Sequence, residues 1–319
     1  MSVTKEYVQK LVGVLLSDGK DAVLSQFDIP EETFNRYMRL AKELGISTVD
    51  RGKIISQIIQ NYTDKELEAI AKGGRIVPGY AKVPIISFEG ERVRIGAITD
   101  THIGSVDFHE ERLYQAFDEF KKSKVDFIVH AGDVLEGMSN RPGHIYELSH
   151  LGYDLQKTYA TEILSQWTDT DIYAISGNHD RWYIKSSGAN ALGDIEKELK
   201  NYHFIGHDEG EISLKGKAVL RLWHGEDGSS YALSYRLQKI LESLTGGQKP
   251  NAMIVGHVHK YVDIFERHVL CTSIGCIQSQ TRWMRSKRIS AHTGFAIIDY
   301  WVNNQGICKK TLDWRPFYS

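Results

Sequence analysis

The sequence predicts an α/β domain preceded by a small all-helical one, and three observations carry that prediction. From residue 93 onward, short apolar runs bounded by Gly, Asp or Asn recur, as buried strands of an α/β sheet do. Between them lie segments with the three- and four-residue apolar spacing of helices. Ahead of residue 75 the strand-like runs are missing and only helical periodicity remains.

Taken in order, Val8, Leu11, Val12, Leu15 and Leu16 share one face of a first helix. A short second segment, Lys20 to Phe27, leads into Asp28-Ile29-Pro30. Pro30 is expected in the first turn of a third helix, with Glu31 and Glu32 where the helix dipole favours acids. That helix carries Phe34, Tyr37, Met38 and Leu40 up to Leu44, and Gly45 stops it. A further helix is expected near Asp50 to Asn61. Thr63-Asp64-Lys65-Glu66 has the capping-box pattern of one more, which Gly73-Gly74 ends. Residues 1–74 therefore form the helical domain. Residues 75–90, with Pro78 and Gly79 and no periodicity, are a linker and edge strand, and 91–319 form the α/β domain. Its expected strands are Val93 to Ile98, Phe127 to His130, Ile172 to Ile175, Val219 to Trp223 and Met253 to Val255. Its expected helices are Glu110 to Lys122, Tyr153 to Trp167, Ala191 to Lys200 and Ser230 to Leu244, and beyond residue 260 the chain reads mainly as β.

Composition narrows the function classes. An apolar fraction of 41% with 25% charged residues suits a globular core, and a formal net charge of −2 leaves any nucleic-acid partner to a local basic patch. No stretch of about 18 apolar residues is present, so no membrane span is expected. The opening MSVTKEYVQK lacks the pattern of a secretory signal. Cys271, Cys276 and Cys308 are odd in number and without C-x-x-C spacing, which reads as buried thiols in a reducing, cytoplasmic setting.

Nearly every expected strand ends in residues able to bind a metal: Asp100-Thr101-His102, Gly132-Asp133, Gly177-Asn178-His179-Asp180, His224-Gly225 and Gly256-His257-Val258-His259. Ligands of open α/β sheets collect beyond the carboxyl ends of strands, so these clusters should meet although they span about 160 residues. The i, i+2 pairs Asp100/His102 and His257/His259 would each face one site in extended chain. Imidazoles mixed with carboxylates suit Mn, Fe or Zn, and a carboxylate such as Asp133 can bridge two ions in the clamp used for displacement at phosphorus.

In order and spacing, D-T-H, G-D, G-N-H-D, H-G and G-H-V-H resemble the calcineurin-like metallophosphoesterase superfamily, over roughly residues 92–300. The resemblance implies a four-layer α/β/β/α sandwich holding two divalent metal ions, Mn first, with Fe or Zn as alternatives. It implies Asp100, His102, Asp133 and His259 around one ion, and Asp133, Asn178, His224 and His257 around the other. His179 would face the substrate rather than a metal. Glu136, three residues after the bridging Asp, would orient His179, with Asp180 as an alternative partner.

The protein-phosphatase branch clamps its phosphate with two arginines. Here Gly137 and Ser176 stand at those places, which favours a diester and makes the motifs more like those of double-strand-break repair nucleases. Arg181, Arg282 and Arg285 are candidate substrate contacts, the last two in the basic–aromatic stretch Arg282 to Arg288. Lys20 to Leu44 looks like a helix-turn-helix that would present Asn35, Arg36 and Arg39 to DNA. A bundle used for protein contacts or homo-oligomerisation is the other reading of that domain. The expectation is a phosphodiesterase or nuclease acting on nucleic acid, with DNA as its substrate. The alternatives are a phosphatase or phosphodiesterase for nucleotides or phosphoproteins, and a non-catalytic DNA-binding or scaffold protein.

Overall fold

The computed structural model describes residues 4–48, 67, 83–226, 232–245 and 249–318. The helices expected near 50–61 and 63–73 lie almost wholly outside them, as does the linker at 75–82. Chain contacts divide the protein into two compact units, Met1–Pro78 and Gly79–Ser319.

In the first unit, α1 (Lys5–Asp18) begins where the Thr4 hydroxyl accepts the Tyr7 N–H. It is followed by α2 (Lys20–Gln26) and α3 (Glu31–Glu43). Leu11, Val23, Phe34 and Tyr37 form their common core, with Val8, Val12 and Ala41 packed together beside it. Two expectations need correcting. Pro30 (φ −70°, ψ 158°) is the residue ahead of α3 and not part of its first turn, because its ψ is extended. Leu16 is exposed, since the unit buries a narrower stripe than the apolar pattern suggested.

The second unit begins with β1 (Ile85–Ile86) and β2 (Arg92–Ile98), followed by α4 (Glu110–Ser123) and β3 (Phe127–His130). Next come α5 (Tyr153–Leu164), β4 (Ile172–Ser176), α6 (Asp180–Ser187) and α7 (Ala191–Glu198). Three strands follow, β5 (Tyr202–His207), β6 (Glu209–Leu214) and β7 (Ala218–Trp223), then α8 (Tyr235–Ser243). The chain continues through β8 (Ala252–Val255), β9 (Tyr261–Glu266), β10 (Val269–Ile274) and the short α9 (Arg282–Ser286), and closes with β11 (Gly294–Asn303) and β12 (Gly306–Pro316). One sheet has the order β12-β11-β2-β3-β4-β5, the other β1-β6-β7-β8-β10-β9.

Alternate residues of β2, Val93, Ile95 and Ala97, enter the layer between the sheets, where Val129, Ile175, Leu220, Leu222 and Ile254 meet them. On the outer face of the first sheet, Leu113, Phe117 and Phe120 of α4 pack with Ala160 and Ile163 of α5 and Leu192 and Ile195 of α7. Leu237, Ile240 and Leu241 of α8 cover the second sheet. The result is a four-layer α/β/β/α sandwich.

Strands β2 to β5 run parallel, as do β7, β8 and β10, so their carboxyl ends gather at one edge of each sheet. Strands β5 and β6 and helices α6 and α9 were not expected. Strand β6 alternates Glu209 and Glu211 with buried residues and never forms an apolar run. Of the cysteines, Cys271 and Cys276 are buried, but Cys308 is exposed because it sits on β12 at the sheet edge. No helix among the described residues is long and apolar enough to cross a membrane.

Gly96 of β2 lets the Phe120 ring press onto the sheet: a Cβ there would lie 2.8 Å from the ring. Removing that ring leaves a cavity, so Phe120→Ala should lower the unfolding free energy of the α/β unit by about 3–5 kcal/mol in denaturant titration. A loss under about 1 kcal/mol would contradict this packing.

Candidate metal centre and its cavity

The loops that leave β2, β3 and β8 bend sharply at the residues that carry the chemistry. Asp100 (φ 52°), His102 (φ 52°), Asp133 (φ 51°), His257 (φ 74°) and His259 (φ 51°) all lie in the left-handed region. The extended i, i+2 geometry expected for Asp100/His102 and His257/His259 is therefore replaced. Each pair reaches its site by turning twice, at a cost of about 1–3 kcal/mol per residue. A lattice of backbone hydrogen bonds holds the turns. Asp100 N–H donates to Gly132 O (3.0 Å), His102 N–H to Asp133 O (3.1 Å) and His292 N–H to His259 O (2.9 Å). The His257 N–H donates to the Asp100 carboxylate (3.0 Å), joining the β8 loop to the β2 loop. Gly177 is required by close approach: a Cβ there would lie 2.2 Å from Asp133 Oδ1.

These turns gather two groups able to hold a metal ion, Asp100/His102/His259 and Asp133/His224/His257. In the first, His259 Nε2 lies 3.0 Å from Asp100 Oδ1 and 3.3 Å from His102 Nε2. In the second, His224 Nε2 lies 3.0 Å from Asp133 Oδ2, and Asn178 Oδ1 is 2.9 Å from His257 Nδ1. His102 Nε2 is 3.8 Å from the same Asp133 Oδ2, so that oxygen stands between the groups.

Tautomers show what the arrangement needs. His224 Nδ1 lies 2.7 Å from the Ala131 carbonyl, which can only accept, so Nδ1 carries the proton. In neutral His224 the Nε2 lone pair then faces a carboxylate oxygen in a fully buried place, which is repulsive unless a cation lies between them. Two donors each about 2.1 Å from one ion at a right angle are about 3.0 Å apart, so the spacings suit shared coordination. A proton is the other cation that fits. Burial disfavours charge on His224, but Asp133 and Asp100 raise its pKa to about 9. Burial also opposes ionisation of Asp100, and the facing His259 and His224 nonetheless hold its carboxyl well below the usual range.

Beside the first group, Glu136 is a buried hub. Its Oε2 lies 2.9 Å from His102 Nδ1 and accepts the Gln278 amide N–H at 3.1 Å. Its Oε1 is 3.0 Å from His144 Nε2 and 3.6 Å from His179 Nδ1. His144 Nδ1 accepts the Ser139 N–H (3.1 Å), so Nε2 holds the proton and donates it to Glu136. Burial opposes charge on Glu136, but His179 and His102 keep its carboxyl well below the usual range. His179 Nδ1 lies 2.8 Å from the Glu136 carbonyl oxygen, and its backbone N–H donates to Asp133 Oδ1 at 2.8 Å. Its ring rests on Trp182 at a centroid distance of 3.9 Å.

The structure engages other candidates elsewhere. Asp180 does not reach His179: its buried carboxylate accepts the N–H groups of Leu135 (2.8 Å), Gly177 (2.8 Å) and Val134 (3.2 Å) and pins the β3 and β4 loops together. Arg181 pairs with Asp208 (2.7 Å) and Glu226 and does not line the cavity, because α6 turns it toward those acids. Arg282 and Arg285 lie outside the cavity as well. α9 presents Trp283 and Met284 to it, and an Arg285 N–H donates to Gln280 O.

The cavity above the two groups holds about 390 Å³, with His102, Asp133, Asn178, His179, His257 and His259 at its floor. Arg141, Trp182, Trp283 and Gln278 also line it. Sequence reasoning did not assign Arg141, Trp182 or Gln278. Trp182 follows the G-N-H-D segment closely enough to have been noticed, whereas nothing local marks Gln278.

Comparison with known proteins places the chain. The calcineurin-like phosphoesterase superfamily domain matches residues 93–299. A DNA polymerase II small subunit from Halobacterium salinarum is 24% identical over 249 residues, which cover 65% of this chain and 48% of that protein. One from Archaeoglobus fulgidus is 26% identical over 262 residues, 67% of this chain and 53% of its own. The chain thus spans about half the length of the curated relatives it matches. Among solved structures, an archaeal phosphodiesterase is similar at a TM-score of 0.42 and 15% identity, covering 70% of this chain and 100% of its own. The E. coli phosphoesterase Yfce reaches a TM-score of 0.40 at 17% identity, covering 69% of this chain and 98% of its own. With the domain match running from β2 to β11 and taking in every strand end described above, the chain belongs to the calcineurin-like phosphoesterase superfamily.

Proposed function

We propose that the protein is a two-metal phosphodiesterase acting on nucleic acid. Asp100, His102, Asp133 and His259 would hold one divalent ion, and Asp133, Asn178, His224 and His257 the other. The observation that carries this reading is the convergence of the two groups Asp100/His102/His259 and Asp133/His224/His257, with Asp133 Oδ2 lying 3.0 Å from His224 Nε2 and 3.8 Å from His102 Nε2. Mn suits the mixed imidazole and carboxylate set, with Fe or Zn as alternatives. When bound, the ions supply an activated water and neutralise charge that builds on the phosphoryl oxygens.

The chain's own contribution centres on His179. Its Nδ1 proton is spent on the Glu136 carbonyl, which leaves Nε2 as the atom that gives a proton to the departing ester oxygen. As the water oxygen gives up a proton to solvent and bonds to phosphorus, the bond to the ester oxygen breaks and that oxygen takes the proton from Nε2 of the charged imidazole. Glu136, 3.6 Å from Nδ1, stabilises the charged imidazole, and Trp182 backs the ring.

A diester is favoured over a phosphomonoester. At Gly137 (φ 68°) a Cβ would lie 2.2 Å from the His179 carbonyl oxygen, so an arginine clamp has no room there. The relatives' name, DNA polymerase II small subunit, supports a nucleic-acid substrate. The same name favours a second reading, a subunit of a larger assembly with little turnover of its own. In the helical unit, Asn35, Arg36 and Arg39 are exposed along α3, as a DNA-reading helix requires, but Glu31 and Glu32 at its N-terminal turn would repel phosphates.

With Mn²⁺ the protein should cleave bis-p-nitrophenyl phosphate, and Asp133→Ala should lose both bound metal and turnover. A wild type that binds no metal and is inert on every diester sinks the enzyme reading. His179→Gln should keep its metal while kcat falls about 10²- to 10⁴-fold, and loss of metal in that variant would refute the assigned role. In the metal-free protein His224 is protonated below about 9. Mn²⁺ must displace that proton, so affinity should rise with pH up to about 9, with proton release visible by calorimetry in buffers of different ionisation enthalpy. Flat affinity over that window contradicts the site. If α3 reads DNA, the double variant Arg36→Glu/Arg39→Glu should weaken DNA binding and flatten its salt dependence; unchanged binding assigns the helical unit to protein contacts.

A further inference from the structure

We propose that the α9 wall of the cavity is a nucleobase shelf, so that the site accepts an unpaired nucleotide end and excludes duplex. The inference rests on the nuclease reading and names its substrate form. Trp283, Met284 and Ile289 line the cavity on this side, with Val258 below them and Trp182 near His179. Trp283 is a large apolar ring left 45% exposed. The turn that carries it is tied down. The Thr281 hydroxyl accepts the Met284 N–H (3.1 Å), the Gln280 amide donates to Ile289 O (2.7 Å), and Met284 is buried. A flat ring carried on such a turn offers a face on which a base can stack.

The same short segment divides its chemistry between two sides. Its apolar members face the cavity, whereas Arg282, Arg285, Lys287 and Arg288 are exposed and line none of it. A single strand has that division, with a base to stack and a phosphate backbone to run along the cations outside. A phosphorylated serine or threonine would leave the tryptophan unmatched. Size then selects the form of nucleic acid. The cavity holds about 390 Å³, within the range of about 300–1,000 Å³ that encloses one small ligand. That space takes one nucleotide and has none for a base pair with two backbones. On this size the scissile phosphate reaches the cavity floor as part of an unpaired nucleotide.

The test compares single-stranded oligonucleotides ending in thymidine with the same strands ending in an abasic residue, placed at each end in turn. Values of kcat/KM are measured with Mn²⁺ for wild type, Trp283→Ala and Trp283→Phe, with metal content and thermal unfolding recorded for each. Stacking of a base on an aromatic ring corresponds to roughly a 5- to 150-fold effect. In wild type, loss of the terminal base at one end should therefore cost about fivefold or more. In Trp283→Ala the two substrates should converge to within about twofold, and Trp283→Phe should restore most of the difference. Blunt duplex should be cut more slowly than single strand by wild type. Equal cost of base removal in wild type and Trp283→Ala, or blunt duplex cut as fast as single strand, overturns the shelf and leaves the nuclease reading standing. Cleavage of bis-p-nitrophenyl phosphate with none of any nucleic acid overturns the nuclease reading, and the shelf falls with it.

Discussion

The cavity floor depends on one close approach, that of His224 Nε2 to Asp133 Oδ2 at 3.0 Å. Asp133 follows β3 in the first sheet and His224 follows β7 in the second. Their contact is therefore also one of the contacts between the two halves of the sandwich. It exists because the sheets pack face to face over a shared apolar layer, with parallel strands pointing their carboxyl ends the same way. A slip of one residue in either sheet would reverse which side chains face that layer and pull the two ligand groups apart.

Around this contact the protein concentrates features that are costly elsewhere. Five residues take left-handed backbone angles without being glycine, and several imidazole and carboxylate groups are fully buried. Such costs persist only when surrounding structure over-determines them, and here it does so through the hydrogen bonds that run between loops. Asp180 belongs to that framework. Its carboxylate gathers three backbone N–H groups from two loops, which locks Asn178 and His179 against Asp133. Its place beside His179 in sequence made it an alternative partner for that ring, but the helix that begins there turns it inward.

The hub at Glu136 and the wall at α9 extend the same logic outward. Glu136 joins His102, His144, His179 and Gln278, so three histidines share one carboxylate. α9 then sets what can stand above them. Trp283 and Met284 face in and its cations face out, which reverses the weight that a basic stretch carries when read as sequence alone.

The sequence by itself determined an α/β domain whose strand ends carry Asp and His motifs, because buried parallel strands are continuous apolar runs and their terminal motifs keep fixed local spacing; the four-layer sandwich followed from the family resemblance of those motifs. Periodicity alone was the ground for expecting a separate helical domain. Tertiary structure decided everything that depends on partners distant in the chain. It tied Arg181 to Asp208 and Glu226, gave Asp180 to the backbone, and brought Gln278 to Glu136 across 142 positions. It also showed β5 and β6, whose polar alternation hides them from an apolar count, and replaced the extended D-T-H and H-V-H segments by left-handed turns. Local pattern records which side chains are available. Which way each points is fixed by long-range packing, and there the reading from sequence reached its limit.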